Sequence, residues 1–161
     1  YIHFAYAFQG LRIRPMAAKT TDNLVDGGCF AAKVRLISRV VTNIYDDEFR
    51  HLGVKASQLN ILVVTRYLKV ARPAQVCEIL HLDTSTLSRN VDRMRKSGWL
   101  EVVPEPGRSQ PFQLTTTGQE LLRQAEPAWE KAQEKAREVL GEELVEALSK
   151  PMTELCPLRG E

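Results

Sequence analysis

The sequence is poor in the residues that build metal sites and disulfide frameworks. Its 161 residues include three cysteines and three histidines, and Cys29, Cys77 and Cys156 lie far apart with no CxxC pair. This spacing argues against a disulfide framework and gives a structural zinc site no support. We therefore expect no metal, no cofactor and a reducing compartment, the cytoplasm. No apolar run approaches the roughly 20 residues of a membrane-spanning helix, so we expect no membrane span.

Catalytic motifs are absent as well. The sequence has no GxGxxG, no P-loop, no HExxH and no GxSxG, and its scattered histidines suggest no pairing of a base with a nucleophile. We therefore predict that the protein is not an enzyme.

The chain begins at Tyr1, and its first methionine is Met16. A short apolar-aromatic start is followed by Arg12 and Arg14, the reverse of the order in a secretory signal. We predict that residues 1–25 are an N-terminal extension, in part flexible, with Met16 as a candidate native start. The alternative is an additional arm that stabilises a dimer.

Charge is distributed unevenly although the net charge is only +2. Residues 1–72 carry 11 basic and 5 acidic side chains, whereas residues 113–161 carry 6 basic and 10 acidic ones. A basic half of this kind suits a polyanionic partner.

Hydrophobic periodicity predicts a mainly α-helical protein with one small β-hairpin. Helices are expected over about 26–49, from Ser57 as N-cap to about 69, from Pro73 to about 80, and from Asp83 or Thr84 to about 97. Strands are expected at 99–103 and 112–115 around a Pro-rich loop. A long helix then starts at Thr116 or Thr117 and ends at Gly141, and a last helix covers about 142–155. The long helix that ends at Gly141 carries an apolar stripe that includes Trp129, and its spacing predicts packing in the core. The stripe is longer than a small lobe can cover, so we expect a second copy of the chain to bury the remainder.

The helix at 84–97 divides into two faces. Leu87, Val91 and Met94 recur at helical spacing and are expected to face the core. Hydroxyl side chains lie on the polar face near the start of the helix and basic side chains follow one turn later, which suits insertion into a DNA major groove. An arginine in the following loop is placed to reach a minor groove. The predicted DNA-binding residues are Ser85, Thr86, Ser88, Arg89, Arg93, Lys96 and Arg108.

The order helix, tight turn at His81–Leu82, helix and hairpin is a winged helix–turn–helix pattern. The segment Leu82–Leu100 resembles the recognition-helix signature of the MarR family of transcription regulators, and Leu114-Thr115-Thr116-Thr117-Gly118 resembles the family's L-T-x-x-G junction. The resemblance covers about residues 28–150. The hairpin departs from the family pattern, because only Arg108 matches the usual Asp-x-Arg element, and this predicts weaker contacts from the wing.

The resemblance implies a homodimer on a pseudopalindromic operator in double-stranded DNA, commonly a repressor released by a small phenolic or anionic ligand. Residues 26–161 then form a single domain, with a winged lobe at about 55–115 and dimerisation helices at about 26–50 and 116–158.

Two alternatives remain. Cys29, at the start of the first helix, resembles the sensing cysteine of the family's peroxide-responsive branch, although Lys33 stands where that branch has a tyrosine. Cys29 is otherwise a packing or ligand-lining residue, Cys77 is expected in the core and Cys156 in a frayed tail. The other alternative is a winged-helix module that contacts only proteins.

Overall fold

The computed structural model describes residues 29–106 and 110–155, with side chains up to residue 149. The described elements run in the order α1 (Phe30–Glu48), a 3₁₀ turn (Arg50–Leu52), α2 (Ala56–Leu68), α3 (Pro73–Leu80), α4 (Thr84–Lys96), β1 (Leu100–Val102), β2 (Phe112–Leu114), α5 (Thr116–Leu140) and α6 (Glu142–Leu155). The predicted fold class, mainly α with a hairpin wing, is confirmed. The described part of the chain divides into two units, one that ends at Arg39 and one that begins at Val40.

The prediction of Ser57 as the N-cap of the second helix is wrong. Helix α2 begins at Ala56, with Lys55 in the N-cap position. The Ala56 amide donates to the Asp46 carboxylate at 2.8 Å, and the Lys55 amide donates to the Gln58 side chain at 3.0 Å. The Asp46 and Gln58 side chains thus satisfy the amides of residues 56 and 55 at the start of the helix, so the helix begins before Ser57.

Helices α3 and α4 are joined by a tight turn that local chemistry produces. Pro73 occupies the first turn of α3, where its missing N–H costs no helical hydrogen bond. At the other end His81 adopts a left-handed conformation with φ of 50°, and the Leu82 amide donates to the Cys77 carbonyl at 2.9 Å. This closure satisfies terminal carbonyls of α3, and only three residues, 81–83, separate the two helices.

Helix α4 is defined at both ends by its caps. Asp83 is the N-cap and accepts from the Thr86 amide. At the other end the Gly98 and Trp99 amides donate to the Arg95 and Met94 carbonyls, with Gly98 at a φ of 74°. The predicted inward face is confirmed, since Leu87 and Met94 are fully buried and Val91 packs against the same core.

A two-stranded antiparallel sheet follows α4. Leu100, Glu101 and Val102 pair with Leu114, Gln113 and Phe112 in that order. Ala71, between α2 and α3, extends this sheet by exchanging two backbone hydrogen bonds with Phe112, at 2.8 and 3.0 Å. The fully buried Phe112 thereby anchors the hairpin to the helix–turn–helix.

One arm of the hairpin is tied to the start of α3. The Arg72 guanidinium donates to both carboxylate oxygens of Glu105, each at 2.7 Å. This two-point geometry fixes the plane of both groups as well as their separation. The pair thus positions the arm at residues 103–106 against the helix–turn–helix.

The junction between hairpin and α5 depends on a residue without a side chain. Thr115 caps α5 by accepting from the Gly118 amide at 3.0 Å. A Cβ at Gly118 would lie 2.2 Å from the Trp99 carbonyl oxygen and 3.1 Å from a Leu114 methyl carbon. Only glycine therefore allows α5 to approach the chain between α4 and β1 so closely.

Helix α5 buries small residues rather than its aromatic one. Ala125, Ala128, Ala132 and Ala136 are buried, whereas Trp129 is 45% exposed, so the expectation that Trp129 lies in the core is wrong. The small alanine side chains allow α5 to approach the rest of the unit closely. With the alanines facing inward, the Trp129 side chain points outward. None of the helices in the described ranges is long and apolar enough to cross a membrane.

Replacing Gly118 by alanine is expected to destabilise the fold by about 1–3 kcal/mol, because the new methyl group meets a backbone carbonyl that cannot rotate away. Thr117→Ala, at the exposed neighbouring position, is the control and should change stability by less than about 0.5 kcal/mol. Urea denaturation of the three proteins measures both differences. Equal stabilities for all three would contradict the close approach.

The Arg72–Glu105 pair makes a pH-dependent prediction. Hydrogen bonds from Arg72 lower the pKa of Glu105 below the usual 4.5. A carboxyl group with a lowered pKa contributes stability above its unfolded-state pKa and loses this contribution as the pH falls through the folded-state value. The Glu105 carboxyl carbon, followed by NMR, should therefore titrate at higher pH in Arg72→Ala than in the original protein. An unchanged titration would show that the pair does not form in solution.

Candidate nucleic-acid interface

The outward face of α4 brings most of the predicted DNA-binding residues together. Ser85, Arg89 and Lys96 lie at helical spacing opposite the buried stripe, and all three are exposed. Arg93 is exposed beside them, while Thr86 is half-buried on one flank. The structure thus places a row of polar and basic side chains along a helix whose other side is fixed in the core.

This face is basic, and its charge is concentrated toward the end of the helix. Arg93, Arg95 and Lys96 lie in the last turn of α4. The helix contains one carboxylate, Asp92, which is 3.9 Å from Arg95. Four basic side chains on α4 against one acid produce a positive surface that attracts a polyanion.

Ser88 is also exposed and lies on the flank of α4 toward the hairpin. It lines a groove of about 490 Å³ between α4 and the hairpin, together with Asp92, Arg95 and Gln110. The floor of this groove is apolar and includes Val91, Val102 and Phe112. Arg95, which was not among the predicted site residues, also belongs to this groove. Its helical position relative to Ser88, seven residues on, was the available signal.

The hydroxyl groups at the start of α4 are already engaged. Ser85 Oγ donates to Asp83 Oδ1 at 2.6 Å, and Thr86 Oγ1 donates to Asp83 Oδ2 at 2.7 Å. The Thr86 amide donates to Asp83 Oδ1 at 2.8 Å. These bonds hold the pKa of the Asp83 carboxyl far below its usual value, with the Ser85 hydroxyl as the largest cause and Thr86 next.

Two of the remaining predicted features lie outside the described residues. Arg108, the predicted wing contact, and Cys156 both fall in ranges that the structure does not describe. Cys29 is half-buried directly before α1, and its carbonyl accepts from the Ala32 and Lys33 amides at 3.1 and 3.2 Å. Cys77 is half-buried and packs against the core, as expected.

The acidic run Asp46-Asp47-Glu48 is neutralised by basic side chains rather than arranged around a common point. Asp46 pairs with Lys55 at 3.1 Å, and ion pairs also join Asp47 to Arg50 and Glu48 to Lys135. Within the described part of the chain, no group of three or more His, Cys, Asp or Glu side chains is placed to hold a metal ion.

Comparison with known proteins agrees with this architecture. The MarR family model matches residues 52–109, which contain α2, α3, α4 and β1. The multiple antibiotic resistance protein MarR of Escherichia coli K12 is 23% identical over 122 residues, covering 74% of this chain and 77% of that protein.

Two solved structures share the fold. The first is a mutant of Escherichia coli MarR complexed with operator DNA, with a TM-score of 0.72, 19% identity and coverage of 87% of this chain and 100% of that one. The second is BpsR of Bordetella bronchiseptica, whose DNA binding is described as regulated by 6-hydroxynicotinic acid. Its TM-score is 0.68 at 17% identity, over 77% of this chain and 96% of that one. These findings confirm the resemblance to the MarR family recognised in the sequence, and the chain has the winged helix–turn–helix fold of both structures.

Proposed function

We propose that this protein is a transcriptional regulator that binds operator DNA as a homodimer, with α4 in the major groove. The observation that carries the proposal is the exposed row Ser85, Arg89, Arg93 and Lys96 on a helix whose opposite face is fixed in the core. A helix of 13 residues with this division fits a major groove, and arginine offers two donors to the edge of guanine. The operator complex of Escherichia coli MarR supports the same use of the fold.

We assign the basic side chains of the interface to different parts of the DNA. Arg89, in the middle of the exposed row, is assigned to a base edge, while Arg93 and Lys96 are assigned mainly to phosphates. Arg108 is assigned to the adjacent minor groove, and the Arg72–Glu105 pair holds the arm that leads to it. Ser88 and Arg95 face the groove beside the hairpin and belong to the flank of the interface.

Dimer formation is supported by apolar side chains that remain exposed in a single chain. On α5 and α6, Trp129, Val139 and Leu148 are 45%, 60% and 42% exposed. At the start of α1, Phe30 is 79% exposed. We assign these helices, with the flanking residues of about 26–50 and 116–158, to dimerisation, because a second copy placed on a two-fold axis covers the same residues on both chains.

Regulation by release from DNA is the second part of the proposal. We infer that the protein is a repressor and that a small phenolic or anionic ligand releases it from DNA, as the family resemblance implies. The ligand-regulated DNA binding described for BpsR supports this inference.

An oxidant acting through Cys29 is the alternative trigger, because this half-buried thiol lies directly before α1, the position that resembles that of the sensing cysteine in the family's peroxide-responsive branch. Peroxide treatment that leaves DNA affinity unchanged would exclude it. A module that contacts only proteins has no need of the basic face of α4.

Arg89→Ala is expected to weaken binding to a selected operator duplex by about 1–3 kcal/mol, because a base contact is lost. Binding to random duplex should weaken much less. Arg123→Ala, which removes the same charge from an exposed position on α5, is the matched control and should leave operator binding nearly unchanged. Fluorescence anisotropy titrations of the three proteins against both duplexes measure these differences.

Equal losses for Arg89→Ala on both duplexes would reassign Arg89 to a phosphate. Equal losses for Arg89→Ala and Arg123→Ala would show that only net charge matters, and would remove α4 as the reading helix.

Val139→Glu is expected to shift the protein from dimer toward monomer, because it places a charge on a surface that we assign to the interface. Val63→Glu is the control, since Val63 is also exposed but lies on α2. Sedimentation equilibrium should give twice the 18.2 kDa chain mass for the original protein and for Val63→Glu. A monomeric original protein, or a dimer that tolerates Val139→Glu, would contradict this assignment.

A further inference from the structure

The start of α4 holds one carboxylate surrounded by three donors. Asp83 accepts from the Ser85 hydroxyl, the Thr86 hydroxyl and the Thr86 amide, at 2.6 to 2.8 Å. A helix N-cap needs only one of these bonds, the one from the amide. The two additional bonds involve the hydroxyl groups that are expected to meet DNA.

The direction of these hydrogen bonds is determined by the chemistry of the groups. An ionised carboxylate can only accept, and a serine or threonine hydroxyl has one proton to donate. The Ser85 and Thr86 hydroxyls therefore each use their single proton on Asp83. The outward-facing part of each hydroxyl oxygen consists of lone pairs, which can only accept.

This arrangement decides which part of DNA the two hydroxyls can meet. Phosphate oxygens have no protons, so they cannot donate to Ser85 or Thr86, and the Asp83 carboxylate beside them repels phosphate. In the major groove the exocyclic amino groups of adenine N6 and cytosine N4 are donors, whereas the exposed edge of guanine presents acceptors only. The complementary partners of these hydroxyls are therefore adenine and cytosine.

We propose that Asp83 is a positioning residue that fixes the hydrogen-bond polarity of Ser85 and Thr86, so that the first turn of α4 accepts from adenine or cytosine amino groups rather than donating to phosphates. The inference rests on the proposed operator-binding function and adds to it a base preference. Arginine on the next turn supplies donors, so the helix presents acceptors at its start and donors further along.

The Asp83→Asn variant separates the role of Asp83 as a helix cap from its effect on the hydrogen-bond direction of the neighbouring hydroxyls. The asparagine carbonyl oxygen still accepts from the Thr86 amide, and asparagine caps helices about as well as aspartate. Its NH₂ group replaces Oδ2 and donates to Thr86 Oγ1, so the Thr86 proton turns outward. The variant thus keeps the helix and converts the outward side of Thr86 from acceptor to donor.

Selection of binding sites from a random duplex library, with the original protein and Asp83→Asn, tests the proposal. The original protein should prefer adenine or cytosine at one position in each half-site. Asp83→Asn should lower that preference about fivefold, the effect of one hydrogen bond, while keeping its melting temperature. Loss of a negative charge should raise affinity for all sequences alike, and this rise cancels in the ratio between two duplexes.

Thr86→Val provides the control background, because it removes the hydroxyl and keeps the shape. In this background Asp83→Asn should no longer change the base preference at that position. Identical base preferences for the original protein and Asp83→Asn would overturn the proposal and leave Asp83 as a helix cap. A wild-type protein that selects no sequence would instead reject the operator-binding function, and the inference with it.

Discussion

Burial of one apolar stripe on α4 is the constraint on which the site depends. Leu87 and Met94 are fully buried and Val91 packs beside them, so the helix cannot rotate about its axis without exposing these side chains to water. The orientation of every polar residue on α4 follows from that restriction. A helix held in this way presents Arg89 and its neighbours in one fixed direction, which base recognition requires.

Contacts at both ends of the lobe preserve this orientation. The His81–Leu82 turn fixes the approach of α3 to α4, while Gly118 allows α5 to reach the Trp99 carbonyl. The Arg72–Glu105 pair then places one arm of the hairpin beside the helix. Since this pair is exposed, its contribution to global stability is small, and its role is to limit where the arm can lie.

Local signals in the sequence predicted much of this fold. Pro73, Asp83, Gly98 and Gly141 each mark a helix boundary that the structure confirms, because proline geometry, capping and left-handed glycine act within a few residues. The prediction of Ser57 as an N-cap was wrong because the Asp46 carboxylate, ten residues before Ala56, accepts from the Ala56 amide, and the helix begins there. The prediction of Trp129 as a core residue was wrong because helical spacing alone does not show which of two adjacent faces of α5 packs against the core.

The sequence predicted most of the residues that lie at the candidate site, but it did not predict the hydrogen bonds that those residues make. Spacing alone separated the buried stripe of α4 from its polar face. It could not show that Arg72 meets Glu105, 33 residues away, because that contact exists only once the hairpin has folded back. Nor could it show that Ser85 and Thr86 both donate to Asp83, which changes what those hydroxyls can recognise.

The most direct test of the central claim is a titration of the unmodified protein against a selected duplex and a scrambled duplex over a series of salt concentrations. If α4 enters the major groove of DNA, affinity for the selected duplex should be higher, and the logarithm of the association constant should fall steeply with the logarithm of salt concentration. With Arg93 and Lys96 from each of two chains on phosphates, we expect a slope of about −4. Absence of binding, or binding that is independent of salt and sequence, would contradict the account.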